Sequence, residues 1–325
     1  MKNARNRSKT LTAASLLFAL ALSGCVTAPA ETTKTGAIVI PTTGPGHSAV
    51  RKAAGVSQAA YIYANSFYVN PVVRPVTHVA SISSYILKSS GGAARRIAIA
   101  GAQMPQLRGP VPPVAYREPM DLDEWERRLD AITRTRQSTG TIDFLVDGDE
   151  YFTRLESAID EATESIDIRT YNFDNDDYAL SIADKLKQKS GDVDVRVLVD
   201  SLGNMQAMQV DAESQPDDHL APLTMKHYFR QDSDVRLRRT PNPWLTGDHT
   251  KTTIIDRQVA FVGGMNIGRE YRYDWHDLMM EVRGPVVNEL QHAADIAWAR
   301  AGMLGDIGGF VQSLMPLSLI HISEP

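Results

Sequence analysis

Cysteine is nearly absent from this 325-residue chain, in which Cys25 is the only one. A disulfide within the chain is therefore impossible, and so is a metal cluster held by several thiolates. The apolar run LTAASLLFALAL at 11–22 is too short to cross a bilayer comfortably. An excess of basic charge is also missing, because 34 Lys and Arg face 39 Asp and Glu, a formal net charge of −5. That balance disfavours a dedicated nucleic-acid-binding protein.

The N-terminus has the pattern of an export signal. Residues 1–10 are polar and basic, the apolar run follows, and the segment ends in Leu-Ser-Gly-Cys at 22–25. This ending resembles a bacterial lipobox, whose cysteine receives a diacylglycerol; an ordinary secretory signal or a short anchor with an incidental cysteine is the alternative. The resemblance implies that a lipid on Cys25 anchors the chain to the bacterial cell envelope. An aspartate after the cysteine of such a lipobox signals retention in the inner membrane, and here Val26 stands at that position. We therefore expect the outer membrane, facing the periplasm.

The rest of the chain divides by composition. A segment rich in Thr, Pro, Gly and Ala has the character of a flexible tether, and the region after it carries small and aromatic residues without a motif. We predict five regions: a signal peptide at 1–24, a tether at 25–48, a helical N-terminal arm at 49–136, an α/β domain at 137–303, and an aberrant or truncated tail at 304–325.

The α/β prediction comes from alternating periodicities after Gly140. Two-residue alternation indicates strands, and apolar residues three and four apart indicate helices. Strand, helix, strand, helix and strand in succession are typical of a mixed sheet flanked by helices. The predicted strands are at 142–146, 165–173, 193–200, 235–239, 252–256, 259–262 and 277–282, with a turn at 147–149, and the predicted helices are at 121–136, 150–164, 177–189 and 285–301.

Chemistry concentrates in residues 247–268, GDHTKTTIIDRQVAFVGGMNIG. Alternate residues of a strand point to the same side, so His249 and Lys251 are expected to face one pocket. An imidazole is a competent nucleophile towards phosphorus. Lysine and Asn266 can stabilise the charge that develops on phosphate oxygens. These residue types fit a site for a phosphate group, and a hydrogen-bonded surface histidine is the alternative for His249.

The spacing His-x-Lys, Asp256 and Gly-Gly-x-Asn is similar to the HKD signature of the phospholipase D superfamily. The segments at 169–177, 195–200 and 275–287 resemble bacterial cardiolipin-synthase-type lipoproteins of that superfamily. The resemblance runs from about Gly140 to about Ala301. It implies one half of a phospholipase-D-type α/β fold, a phosphohistidine intermediate on His249, and no metal or other cofactor.

The resemblance also assigns roles to further residues. It implies that Lys251, Asn266 and Gly264 bind the substrate, and that Asp277 orients His249 by accepting from its second ring nitrogen; a strand-end cap is the alternative for Asp277. Asp256 belongs to the catalytic signature, although a structural carboxylate that caps a turn fits it better. Tyr171 and Asp174–Asp177 either line the pocket mouth or form a polar loop. A metal held by His249 and His276 has no supporting cluster.

The superfamily builds one active site from two motifs, and here no histidine other than His249 is followed two places later by lysine. The chain is therefore either a piece whose missing C-terminal half supplies the general acid, or a single-motif enzyme that forms a homodimer. The tail at 304–325 loses the earlier pattern, which favours truncation.

These residues and this resemblance predict a phosphatidyltransferase or phospholipase D that acts on membrane phospholipids. Its partners are the phospholipid substrate, the membrane that holds the lipid anchor, and the missing half or second copy. The alternatives are a single-motif dimeric phosphodiesterase or nuclease, and a catalytically incomplete lipoprotein that only binds phospholipid head groups. An exported acidic protein disfavours nucleic acid as the partner.

Overall fold

The computed structural model describes residues 31–32, 38–41, 47–100, 121–133, 138–207, 211–222, 224–240 and 247–315. The predicted signal peptide, Cys25 with its expected lipid, and the last ten residues lie outside these ranges. Among the described residues, no helix is both long and apolar enough to cross a membrane.

The N-terminal arm is helical where it is described. Its elements are α1 at His47–Ala64, a π-helical turn at Asn65–Val69, α2 at Asn70–Val73, α3 at Pro75–Ala100 and α4 at Leu122–Thr133. Pro71 and Pro75 fall in first turns, where a residue without an N–H loses no helical hydrogen bond. The bounds 49–136 for the arm as a unit stay a prediction.

Ten strands, six further α-helices and a π-helical turn at Glu270–Asp274 make up the remaining described elements. The strands are β1 Glu31–Thr32, β2 Ile38–Pro41, β3 Thr141–Val146, β4 Ser165–Thr170, β5 Asp194–Asp200, β6 Leu220–Pro222, β7 Arg236–Thr240, β8 Thr252–Ile255, β9 Val259–Gly263 and β10 Leu278–Arg283. The helices are α5 Asp147–Glu161, α6 Asp177–Lys189, α7 Ser201–Ala207, α8 Met225–Arg230, α9 Val286–Ala301 and α10 Gly305–Leu314.

The main sheet has seven strands in the order β3-β10-β9-β8-β4-β5-β7. The neighbours β4, β5 and β7 run parallel, and the other pairs are antiparallel. Consequently the ends of β4, β5 and β9 and the beginnings of β8 and β10 all meet at one edge of the sheet. The short strands β1, β2 and β6 form a separate antiparallel sheet.

Helices cover both faces of the main sheet. Phe152, Leu155 and Ile159 of α5 and Ile182 and Leu186 of α6 are fully buried in the larger core. On the opposite face α9 packs over a smaller cluster. Each large side chain removed from water contributes about 1.5–3 kcal/mol. The predicted mixed α/β fold is confirmed, together with the inward faces of both helices.

Three local predictions differ from the structure. The turn expected at 147–149 is the first turn of α5, which begins at Asp147 with a positive φ of 64°. The strand expected at 165–173 ends at Thr170, because the Thr170 hydroxyl lies within hydrogen-bonding distance of Asn172 O and Asn266 Oδ1 and the chain turns there. Residues 305–314, where the pattern was expected to be lost, form α10, which packs against α9 and binds Thr77 through Asp306.

Candidate active site

A pocket of about 490 Å³ opens at the edge of the sheet where the five strand ends meet. The structure brings five of the predicted residues together in its wall, with Tyr171 beside them. These residues are His249, Lys251, Gly264, Asn266 and Asp277.

His249 and Lys251 lie immediately before β8 rather than within a strand. The lysine folds back on its own segment: its Nζ lies 3.1 Å from His249 Nδ1 and donates to the His249 carbonyl at 3.0 Å. The two side chains are therefore close because the lysine side chain bends back towards His249, and not because they alternate along a strand. The His249 side chain is exposed to the pocket, and its ring lies against Tyr171 with the centroids 4.6 Å apart.

The Lys251 ammonium is a buried charge, since only 5% of the residue is exposed. Burial lowers the pKa of Lys251, because removal from water disfavours the charged form, while the carboxylates of Asp277 and Asp248 act in the opposite direction. The ammonium also lies 5.3 Å from the centre of the Tyr171 ring. An anion that entered the pocket would therefore meet a poorly solvated positive charge.

Asn266 follows β9 and is only 2% exposed. Its Oδ1 accepts from Thr170 Oγ1 at 3.1 Å and from the Asn172 N–H at 3.3 Å. Its Nδ2 donates to the Tyr271 hydroxyl at 2.6 Å. An amide nitrogen carries two hydrogens, so one donor remains for a phosphate oxygen.

Asp277 and Gly264 form one wall together. A Cβ at Gly264 would overlap the Asp277 carboxylate, so a side chain there would force that carboxylate to move. The Gly264 N–H donates to the Leu278 carbonyl at 3.0 Å, and the part of Gly264 in substrate binding stays a prediction. Asp277 Oδ1 accepts from the Leu278 N–H at 2.7 Å, and no hydrogen bond joins Asp277 to His249 in the described part of the chain. The orienting role of Asp277 stays a prediction.

Asp256 lies outside the pocket, at the far end of β8, which favours the structural alternative over a place among the catalytic residues. Its carboxylate accepts from the N–H groups of Thr163, Glu164 and Ser165 and from the Thr163 hydroxyl, all between 2.8 and 3.0 Å. These bonds hold the pKa of Asp256 below its usual value against the opposing effect of burial. The residue locks the turn that leads from α5 into β4.

The acidic loop after β4 does reach the pocket. Asp174 and Asp176 line it together with Tyr171. Burial raises the pKa of Asp174 well above its ordinary value, and the neighbouring Asp176 raises it further. Asp176 also caps α6 by accepting from the Ala179 N–H at 2.6 Å. Asp177 faces away from this wall and pairs with Arg269 at 2.7 Å.

Sequence reasoning missed the segment between Asn266 and Asp277. Glu270 and Tyr271 belong to a π-helical turn, Glu270–Asp274, and both line the pocket. Burial raises the pKa of Tyr271 to about 12, so its hydroxyl stays protonated near Asn266. The available signal was position alone, because the two predicted residues are too close along the chain for the segment between them to lie elsewhere.

His276 does not join His249. Its ring is exposed, and its Nδ1 lies 2.9 Å from Asp147 Oδ2. Among the described residues, no three His, Cys, Asp or Glu side chains are grouped so as to hold a metal ion.

Comparison with known protein families gives a match to the model described as cardiolipin synthase, PLD-like domain, over residues 155–298. The major cardiolipin synthase of Bacillus subtilis is 26% identical over 178 residues, which are 50% of this chain and 33% of that protein. A cardiolipin synthase of Clostridium perfringens is 29% identical over 169 residues, 49% of this chain and 33% of that protein. The chain thus spans about a third of the length of the curated relatives it matches.

Solved structures also resemble the domain. Nuc of Salmonella typhimurium, a phospholipase D family member, is 18% identical and matches 49% of this chain and 95% of that one with a TM-score of 0.38. The phosphatidylserine synthase of Haemophilus influenzae is 17% identical and matches 48% of this chain and 37% of that one, also with a TM-score of 0.38.

Proposed function

Because this chain belongs to the phospholipase D superfamily and is similar to cardiolipin synthases, we propose that it contributes half of an active site that transfers a phosphatidyl group between alcohols. The donor and the product are membrane phospholipids, and water as the acceptor makes the same reaction a phospholipase D reaction. The observation that carries the proposal is the buried Lys251 ammonium beside the exposed His249 ring in a pocket that Asn266 also lines.

The reaction has two steps on this reading. In the first, a ring nitrogen of His249 forms a bond to phosphorus while the bond to the first alcohol breaks, and a general acid gives that alcohol its proton. In the second, the acceptor hydroxyl loses a proton to the same group and attacks phosphorus, which releases His249. Lys251 and Asn266 stabilise the negative phosphoryl oxygens throughout, and each such donor lowers the barrier by roughly 3–4 kcal/mol.

The contact between Lys251 and His249 has a consequence for the first step. An ammonium that approaches Nδ1 uses the lone pair of that nitrogen, which leaves the proton of a neutral ring on Nε2. Attack through Nε2 requires the other tautomer. We therefore propose that Lys251 leaves Nδ1 for the phosphate oxygens when the substrate binds, and that Nδ1 then carries the proton. Asp277, which lines the same pocket, is the proposed acceptor of that hydrogen bond.

The general acid is proposed to come from a second motif. Among the described residues that line the pocket, His249 is the only histidine. A C-terminal half of the same protein or a second copy of this chain would supply the other one. Either arrangement closes the open side of the pocket over the phosphodiester.

The lining of the pocket favours a polyol head group over a nucleic acid. Four carboxyl groups line it, on Asp174, Asp176, Glu270 and Asp277, beside the single ammonium of Lys251. Burial raises the pKa of three of them, Asp174, Asp176 and Glu270, so protonation is favoured there and these groups can donate as well as accept hydrogen bonds. A nucleic-acid backbone needs several cations along it, and this lining offers one ammonium. The hydroxyls of a polyol head group can instead donate to those carboxyl groups, which supports an acceptor such as glycerol or phosphatidylglycerol.

The proposal is tested with the full chain in vesicles that contain labelled phosphatidylglycerol. With a chain that carries a second motif added to supply the general acid, we expect a label on His249 that is labile to acid and stable to base, as a phosphorus–nitrogen bond is, and cardiolipin as the product. The His249→Asn variant should give neither, while His276→Asn, which changes an exposed histidine outside the pocket, should give both.

A label that survives His249→Asn would overturn the assignment of the nucleophile. The absence of both label and cardiolipin with the second motif present would overturn the transferase proposal. Equal turnover of single-stranded DNA and phosphatidylglycerol would favour the phosphodiesterase alternative.

Attachment to the cell envelope through Cys25 is a separate proposal, supported by the sequence around that residue. Cells that express the chain with labelled palmitate should transfer the label to it. The Cys25→Ser variant should lose the label and leave the membrane fraction. Retention of both would overturn the anchor.

A further inference from the structure

We propose that Asp248 and Arg169 are positioning residues, which fix the segment that carries His249 to the main sheet. The proposal rests on the proposed function, because it assigns these two residues a part in presenting His249 to the phosphodiester. Neither residue is a fixed position of the signature from which the site was predicted, although Asp248 lies within 247–268 and Arg169 within 169–177.

The contacts at Asp248 reach in three directions. Its Oδ2 accepts from Arg169 Nε at 3.0 Å and from a second guanidinium nitrogen at 2.7 Å. Its Oδ1 accepts from the Thr250 hydroxyl at 2.8 Å, on the other side of His249. Its N–H donates to Asp200 Oδ2 at 3.0 Å. The residue next to His249 is therefore fixed both at its side chain and at its backbone.

The two anchors lie on neighbouring strands in the interior of the main sheet. Arg169 is in β4, and Asp200 ends β5, parallel to it. Asp200 is 1% exposed and its other oxygen accepts from the Leu202 and Gly203 N–H groups. Because these bonds hold the Asp200 carboxylate in place, the bond between its Oδ2 and the Asp248 N–H fixes where the segment before β8 begins.

The opposite side of the segment is closed by an aromatic ring. A Cβ at Gly247 would lie 2.9 Å from Tyr171 Cε2, so the backbone lies close against that ring. The same ring lies against His249. The imidazole thus lies against Tyr171, and the segment that carries it is fixed by the Asp248 contacts.

Asp248 also has an electrostatic effect on the neighbouring ammonium. The groups that face Lys251 are His249, the Tyr171 ring, Asp277 and Asp248. Loss of the Asp248 charge removes one of the two carboxylates that raise the pKa of Lys251. The pKa then falls further, so the protonated lysine that a phosphate needs is lost at a lower pH.

The experiment compares Asp248→Asn, Arg169→Gln and the double variant in the full chain. Hydrogen exchange of the peptide that contains 247–251 should become faster in each. Labelling of His249, measured as in the preceding test, should slow by up to about 100-fold, as expected for a displacement of the order of 1 Å. The double variant should be no slower than the worse single variant, because both changes remove the same contact.

A matched control is Asp194→Asn. Asp194 pairs with Arg236 at 2.7 Å and starts the strand that Asp200 ends, so this variant removes an Arg–Asp pair from the same strand but far from the segment. It should leave exchange at 247–251 and the labelling rate unchanged.

The alkaline limb of the pH profile separates positioning from mere folding. In Asp248→Asn it should move to lower pH, and in Arg169→Gln, which keeps the carboxylate, it should not. Unchanged exchange at 247–251 in Asp248→Asn, or additive losses in the double variant, would overturn the proposal. If the native chain gives neither label nor cardiolipin with the second motif present, the transferase proposal fails, while the exchange measurement still decides this one.

Discussion

The two ends of β8 carry residues of one short motif and have opposite physical character. At the first end, Lys251 is a buried ammonium whose environment disfavours its charge. At the other end, Asp256 is a carboxylate whose hydrogen bonds stabilise its charge. The strand between them has four residues. One contiguous signature therefore combines two kinds of charge. At its reactive end the environment disfavours the charged form of Lys251, and at its structural end hydrogen bonds favour the charged form of Asp256.

The largest expected effect is at the reactive end. Lys251→Met replaces a buried charge with an apolar side chain of similar length, so we expect labelling of His249 to fall about 100- to 1000-fold. The free energy of unfolding should stay the same or rise, because the desolvation of the ammonium no longer opposes folding. Initial rates and chemical denaturation measure the two effects. Unfolding at a clearly lower denaturant concentration would break the comparison, since Lys251 would then have a structural role.

The second effect is at the structural end. Asp256→Asn keeps a residue that tolerates the positive φ of 50° at this position but weakens the cap on the turn after α5. We expect the free energy of unfolding to fall by about 1–3 kcal/mol, with turnover unchanged in the folded protein. Activity lost without loss of stability would contradict the structural role.

The contribution of the Asp256 carboxylate to the free energy of unfolding depends on pH in a definite direction. The pKa of Asp256 is lower in the folded protein than in the unfolded chain. Its stabilisation is therefore fully present above the unfolded value of about 3.9 and is lost as the pH falls through the folded value. Native protein and Asp256→Asn should differ in unfolding free energy at neutral pH and converge in acid. A difference that grows in acid would contradict this sign.

A third effect returns to the reactive end. The pKa of Lys251 is lowered by burial, so the rate should decline on the alkaline side at a pH below about 10.4, the ordinary value for lysine. Lys251→Arg keeps the charge at all accessible pH values and should remove this decline at a reduced rate. If the decline persists in Lys251→Arg, it belongs to another group.

The smallest expected effect measures how much one hydrogen bond to Asp256 contributes to stability. Thr163→Val removes only the hydroxyl that donates to Asp256 and leaves the three N–H donors in place. The free energy of unfolding should fall by about 0.5–1 kcal/mol, less than in Asp256→Asn. Thermal unfolding of the two variants side by side measures the ratio, and an equal loss in both would mean that the hydroxyl alone accounts for the cap.

Periodicity in the sequence was sufficient for the α/β layers, because Phe152, Leu155 and Ile159 recur at helical spacing and are all buried. It could not predict where β4 ends, since Thr170 lies within hydrogen-bonding distance of Asn266, which is distant in sequence. A pattern read along one strand contains no information about such a partner.

The motif predicted which residues would meet in the pocket but not how each would be held. Lys251 contacts His249 because its side chain bends back along its own segment. The Asp277 carboxylate lies against Gly264. Arg169 and Asp248 could not have been paired from the sequence, because the charge of each has many possible partners until the strand order is known.

The position of β3 has a consequence for synthesis of the chain. Among the strands that the structure describes, this edge strand pairs only with β10, which follows β4, β5, β7, β8 and β9 along the chain. Its alternate side chains Ile142, Phe144 and Val146 stay more than half exposed even in the folded protein. While the chain emerges from the ribosome, β3 must wait for nearly the whole domain before its partner exists, and an unpaired apolar strand is prone to bind other chains in that interval. We therefore expect the nascent domain to be most prone to aggregation in the interval between synthesis of β3 and synthesis of β10.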